Sequence, residues 1–225
     1  MIYPAHAIYA YCKMKGYPWE TTPGHLNIVY IEGLNEDFTP NKDRPDEWND
    51  LRIIVDHKAA DEQGSPKPFI RFIQVATTEP GRKPTFSAAS KKLGGVARLR
   101  FGHYAKKWVQ GFHNFSRHGK RHPALIQKHP EVVMVHRDFN QDFKRTGDAI
   151  SPAFGINHHG VLPGVVPKLI GGHSAGCPVG LDWEKHLEFI EITKTDLRYL
   201  ENPNFSYSAT IIAGDDFLKF RTNIG

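Results

Sequence analysis

His25-Leu26-Asn27-Ile28-Val29-Tyr30-Ile31-Glu32 alternates along its length and is rich in β-branched and aromatic side chains. A period of two over eight residues is the pattern of a strand with one face on a core. Outward from it, Leu51 to Val55, Pro68 to Ala76, Gly94 to Phe101, Tyr104 to Phe112, Val132 to His136, Phe154 to His158 and Phe205 to Ala213 carry the same signal. Helices are expected over 3–15, ending at Gly16, over 124–128, and after Asp182, where Trp183, Leu187 and Ile190 share one face. A short terminal helix follows Gly214, and Gly33 to Asn49 and Asp138 to Ala153 read as polar loops. Many strands with few helices predict a β-rich α+β domain.

The chain has 225 residues, which suits one domain over 1–225 with a small helical or loop appendage over 1–24. No apolar run reaches the length of a membrane span, so none is expected. The N-terminus lacks a basic segment followed by an apolar one, so no secretory signal peptide is expected. Two cysteines, Cys12 and Cys177, lie far apart and exclude a disulfide-stapled scaffold. Cys12 reads as a buried structural thiol.

Charge is distributed unevenly. Between Pro80 and Pro130 there is no Asp or Glu, while Arg and Lys occur twelve times, and the remainder is acidic overall. The block holds Arg98, Arg100, Lys106, Lys107, Arg117, Lys120, Arg121 and Lys128, and it suits an anionic partner or a solvated basic face.

Chemistry concentrates in Asn157-His158-His159-Gly160 and in Gly171-Gly172-His173-Ser174-Ala175-Gly176-Cys177-Pro178-Val179-Gly180. A cysteine among small residues, with imidazoles nearby in sequence, is the raw material of a thiolate nucleophile. His159 is the preferred base, with His158 and His173 as rivals, and the N–H groups of Gly176 and Cys177 are candidates for an oxyanion hole. If the segment is extended, His158 points away from His159 and makes a structural hydrogen bond.

The order His159-Gly160, thirteen residues, then Ser174-Ala175-Gly176-Cys177 resembles the signature of the L,D-transpeptidase (YkuD-type) catalytic domain. A second resemblance, to phage and prophage proteins, runs through Glu32-Gly33-Leu34-Asn35, Trp48-Asn49-Asp50-Leu51-Arg52, Thr77-Thr78-Glu79-Pro80-Gly81 and His136-Arg137-Asp138-Phe139-Asn140. The family resemblance implies an L,D-transpeptidase-like β-sandwich or barrel core with a few peripheral helices. It implies Cys177 as nucleophile, His159 as base, the Gly160 carbonyl orienting the imidazole, and no cofactor. His158, His173, Ser174, Asn157, Tyr104 and His113 are candidates to line the substrate groove. Ala175 stands where the family has histidine, and Val179 where it has arginine. Both family residues position the donor stem, and His173 is the local candidate to substitute.

Other chemistries fit less well. His113, His158, His159 and His173 are conceivable zinc ligands, but the one HxxxH spacing, His118 to His122, sits in a Gly- and Pro-punctuated stretch, and no metal is expected. Asp138-Phe139-Asn140-Gln141-Asp142 begins like a calcium loop, yet Phe143 occupies the position that needs glycine, so an Asx-turn loop is expected. The two resemblances together imply an endolysin-type, peptidoglycan-degrading cysteine peptidase, acting through a thioester on stem-peptide or cross-link amides. Its expected partners are bacterial peptidoglycan and, through the 80–130 block, anionic wall polymers. Expected localisation is the host cytoplasm before lysis and the periplasm or cell wall afterwards. The alternatives are an L,D-transpeptidase forming cross-links and, in another class, a basic nucleic-acid-binding protein or nuclease; a nucleic-acid partner is not expected.

Overall fold

Strand β1 (Asn27–Glu32) lies between β2 (Asp50–Lys58), antiparallel to it, and β11 (Tyr207–Ala213), parallel to it. The computed structural model describes residues 3–60, 62, 64–115 and 120–224. The other strands are β3 (Lys67–Thr77), β4 (Val96–Leu99), β5 (Gly102–Phe115), β6 (Lys120–Gln127), β7 (Val133–Asp138), β8 (Ala149–Ala153), β9 (His159–Gly160) and β10 (Val179–Gly180). The helices are α1 (Pro4–Met14), α2 (Arg82–Thr85), α3 (Ala88–Lys92), α4 (Trp183–Lys194), α5 (Leu197–Glu201) and α6 (Gly214–Ile224).

Eight strands form one sheet in the order β6-β5-β11-β1-β2-β3-β10-β9. Its two edges meet again where Leu125 of β6 and His158 exchange backbone hydrogen bonds of 3.1 and 2.9 Å. The sheet is thus a nearly closed barrel, which hides both edges that an open sheet would expose. A second sheet, β4-β7-β8, packs beside it.

The alternation in the sequence resolves into two cores. Ile28 and Tyr30 join Ile54, Phe72, Trp108, Leu125, Phe189 and Ile211 on one face. Val29, Ile31, Leu51, Ile53 and Val55 meet α1 and α6 on the other. Helix α1 is therefore integral rather than an appendage: Ile8, Tyr11 and Cys12 are fully or nearly buried against those strands. Each such large apolar side chain contributes roughly 1.5–3 kcal/mol. Cys12 is the expected structural thiol, its pKa pushed up to about 12 by burial.

Three elements differ from expectation. Residues 124–128 belong mainly to strand β6, because the full ladder from Trp108–Gln127 to Phe115–Lys120 outweighs the helix propensity of Ala124-Leu125-Ile126-Gln127. The 138–153 segment contains β8, which pairs with β7 from Val133–Ala153 to Arg137–Ala149 and leaves Ala149, Ile150 and Pro152 exposed. Helix α4 is capped by Asp182 as expected, its side chain accepting from Lys185 N–H at 2.7 Å. It buries His186, Phe189, Ile190 and Thr193, however, leaving Trp183 and Leu187 half-buried.

Above the inner core lies a layer of buried charge. Glu32, Asp50 and Glu79 meet Arg98 and Arg145 there. Thr78 Oγ1 donates toward Glu32 (2.5 Å) and Asp50 (3.0 Å), and Thr78 N–H donates to Asp50 (2.7 Å). Glu32, Asp50, Thr78 and Glu79 come from three of the four phage-like segments, which this layer brings together. Arg98 is consequently 2% exposed and belongs to no surface patch. Lys107 is tied to Glu131, whereas Arg82, Lys83, Lys91, Lys92, Arg100, Lys106, Arg121 and Lys128 are exposed. Arg117 and His118 lie outside the described residues.

Candidate functional site

Two short parallel strands carry the candidate residues. β9 pairs with β10 in the register His159–Val179 and Gly160–Gly180, with His159 N–H donating to Pro178 O at 3.1 Å. Cys177 therefore enters one strand as Asn157 enters the other. Side chains at 177 and 179 share a face with those at 159 and 161, and Cys177, Val179 and Val161 do pack together, against Trp48.

The loop before Cys177 is held at several points. Asp46 accepts from Gly171 N–H (2.6 Å) and Arg82 N–H (2.8 Å), Gly81 N–H donates to Ser174 O (2.9 Å), and Lys83 N–H to Gly171 O (3.1 Å). Ser174 is a staple rather than a groove residue: its hydroxyl donates to Cys177 O at 2.8 Å and accepts from Gly176 N–H at 3.1 Å. That bond corrects the expected oxyanion hole: the Gly176 N–H is spent on Ser174, so of the two expected donors Cys177 N–H is the one without that claim on it.

Gly176 has φ +115°, and a Cβ there would stand 2.5 Å from Ala97 O. Gly176→Ala is expected to cost about 1–3 kcal/mol, from the strained backbone and the overpacked contact with β4. Urea unfolding measures that cost; an unchanged midpoint would mean that the loop simply moves away.

The sulfur is nearly enclosed. Cys177 is 9% exposed, its Sγ accepting from Asn157 N–H and donating to Gly155 O, both at 3.4 Å. Burial pushes the thiol up to about 11, and the Asn157 N–H offsets only part of this. His159 is held well below the usual imidazole range by burial first, then by the neighbouring His113. At neutral pH the pair is a thiol and a neutral imidazole.

Hydrogen bonding fixes the tautomers. His159 Nδ1 lies 2.9 Å from Gly160 O, an acceptor only, so Nδ1 carries the proton and Nε2 the lone pair. Asn157 Oδ1 accepts from Gln127 N–H at 2.9 Å, which orients its amide NH2 toward His113 Nδ1 at 3.1 Å. The His113 ring then stacks on His159, centroids 4.1 Å apart and planes 4° from parallel. Asn157 thus links the two strands' residues: its backbone N–H meets Cys177 Sγ, and its amide meets His113, which stacks on His159.

His158 faces the inner core, as its adjacency to His159 suggested. Its ring lies 4.3 Å from Trp108, and its Nδ1 is 3.1 Å from Tyr30 OH. The structure removes two other expected groove residues. Tyr104 is in the inner core, with its hydroxyl bonded to Arg100 N–H and Arg100 O at 2.9 Å each. His173 lies beside Trp48, ring centroids 6.3 Å apart, and it is Trp48 that packs against Cys177, Val179 and Val161. In the 138–144 loop, Asp138 accepts from the N–H groups of Asp142 and Phe143, each at 3.1 Å, and Asp142 Oδ1 accepts from Lys144 N–H two residues on at 2.8 Å, as an Asx turn does.

Sequence reasoning missed Arg52, Tyr30, His122 and His186. His122 lies 5.3 Å from His113 and 5.7 Å from both His159 and His186, its pKa lowered to about 4 mainly by burial. The available signal for Arg52 was a lone cation within Leu51-Arg52-Ile53-Ile54-Val55, a run buried on both faces. Against protein-family models, curated proteins and solved structures, the chain has no match.

Proposed function

We propose that the chain is a cysteine peptidase that degrades peptidoglycan, an endolysin-type relative of the L,D-transpeptidase (YkuD-type) domain in fold and mechanism. The observation that carries this reading is the His159–Gly160 pair on the strand beside that of Cys177, with the imidazole Nδ1 oriented by the Gly160 carbonyl. Cys177 Sγ passes its proton to His159 Nε2 and attacks the amide carbonyl, forming the S–C bond. Cys177 N–H faces the developing oxyanion. The imidazolium then protonates the departing amine as the C–N bond breaks, leaving a thioester. Water, deprotonated by His159, cleaves the thioester to a carboxylate and restores the thiol.

Bacterial peptidoglycan is the proposed substrate, met in the periplasm or wall after release from the host cytoplasm during lysis of a phage-infected cell. The exposed lysines and arginines of 80–130 are proposed to favour anionic wall polymers. Purified sacculi and soluble muropeptides test the reading, with products resolved by mass spectrometry. Shortened stems released by the wild type and absent with Cys177→Ala are the expected result. New cross-linked dimers would instead make the enzyme a transpeptidase, with an amine replacing water. Identical products from both proteins, or none from either, would overturn the peptidase assignment.

A further inference from the structure

Arg52 is fully buried at the centre of the inner barrel, on β2 opposite Tyr30 of β1 and Gln74 of β3. Its guanidinium is bonded on every nitrogen. Nε–H donates to Tyr30 OH (2.8 Å) and Nη1–H to His186 Nδ1 (3.1 Å). Nη2 donates to both His159 O (3.0 Å) and Pro178 O (3.1 Å). One nitrogen therefore clamps the carbonyl of the proposed base and the carbonyl of the residue that follows the proposed nucleophile. The Phe189 ring lies under the guanidinium carbon at 4.5 Å.

The bonded acceptors are two carbonyls, a phenol and an imidazole, all neutral. A hydrocarbon would usually fill such a space at lower cost than a cation. What hydrocarbon cannot do is hold two strands in register. β9 and β10 have two residues each, far below the length at which a ladder is stable by itself. The surroundings are shaped to the clamp. A Cβ on Gly180 would stand 2.9 Å from Arg52 Nη1, and one on Gly160 would stand 2.7 Å from His186 Cγ.

The clamp also sets the neighbouring protons. Arg52 Nη1–H makes His186 Nδ1 an acceptor, so His186 donates from Nε2 to Pro123 O at 2.9 Å. Tyr30, receiving from Nε–H, turns its own proton to His158 Nδ1. We infer that Arg52 is a positioning residue: it fixes the β9–β10 register and thereby the placement of His159 relative to Cys177, without touching substrate. This inference rests on the peptidase reading for its catalytic consequence, but not for its structural one.

The test compares wild type with Arg52→Lys, which keeps the charge but lacks the planar fork that bonds Tyr30, His186 and both carbonyls at once, and with Tyr30→Phe, which removes the acceptor of Nε–H. Amide hydrogen exchange is read at His159 and Val161, whose N–H groups bond Pro178 O and Gly180 O, and at Val29 and Ile53 in the central sheet. In Arg52→Lys, exchange at His159 and Val161 is expected to rise about a hundredfold with the central sheet unchanged. On muropeptide, kcat is expected to fall about a hundredfold with KM within about threefold, the signature of misplaced groups rather than lost binding. Tyr30→Phe gives the same pattern at smaller amplitude and serves if Arg52→Lys does not fold. Unchanged exchange at His159 and Val161, a uniform rise across the sheet, or local loosening with kcat intact in an active enzyme would each overturn the inference. Local loosening in a protein whose wild type cleaves nothing would retain the clamp and remove the peptidase reading instead.

Discussion

Alkylation of Cys177 by iodoacetamide is expected to accelerate about tenfold for each pH unit from 7 to 10, about a thousandfold in all, because only the thiolate reacts. Burial of the sulfur pushes its pKa up to about 11, so at pH 7 roughly one thiol in ten thousand is ionised. A preformed thiolate–imidazolium pair would instead react at a nearly constant rate across this range. The same environment depresses His159, so the base is neutral well below pH 6.5. Hydrolysis should accordingly show no acid limb at the usual histidine value and should fall only at lower pH. On the peptidase proposal the resting site stores no charge, and the thiol proton would pass to the neutral His159 only when substrate arrives. Cys12 is buried as well, its thiol pushed up to about 12, so peptide-resolved mass spectrometry must follow the two cysteines separately. A rate at Cys177 that stays flat between pH 7 and 9 would sink this description of the site.

The sequence made the strands of the barrel legible wherever one face differs from the other. Ile28 and Tyr30 face one core, Val29 and Ile31 another, and a period of two records that directly. It failed at 124–128, where helix-forming residues lie in a strand whose identity depends on β5 opposite them. His158 and His159 illustrate the same boundary. Adjacency in an extended segment says that they part company, and they do: one meets Tyr30 and Trp108, the other His113. Nothing in the spacing reveals that the Ser174 hydroxyl claims the Gly176 N–H, since that bond depends on the turn actually formed. Arg52 and the buried carboxylates were visible only as letters within quoted segments. Their role emerges when β1, β2 and β3 are laid side by side, which places Tyr30, Arg52 and Gln74 in one row.

Arg145→Met is expected to destabilise the protein by about 3–5 kcal/mol at pH 8 and by much less at pH 5. Arg145 is paired with Glu32 and lies 3.6 Å from Glu79, with its Nε–H on Leu99 O at 2.7 Å. Removing it leaves buried carboxylates with Arg98 as their remaining close cation. The pH dependence follows from Glu79, whose carboxyl is raised to about 7 by burial and by Glu32, against the pull of Arg98 and Arg145. A raised folded-state pKa means that the folded protein holds the proton longer than the unfolded chain does. Stability from that proton is complete below the ordinary value near 4.5 and is lost as pH climbs through 7. Without Arg145 the folded value moves higher still, so the loss extends to higher pH and grows. Histidines work in the opposite sense: His122, lowered to about 4, contributes stability above 6.5 that is lost as pH falls toward 4. Comparing variant with wild type at each pH cancels that contribution and isolates the carboxylate layer. Urea unfolding at pH 5 and pH 8 measures the difference, and adding Glu32→Gln should recover much of the deficit at pH 8, because the stranded charge is then gone. Equal deficits at the two pH values would mean that Arg145 acts by packing against Phe101, 4.3 Å from its guanidinium carbon, and not by neutralising the acids beneath it.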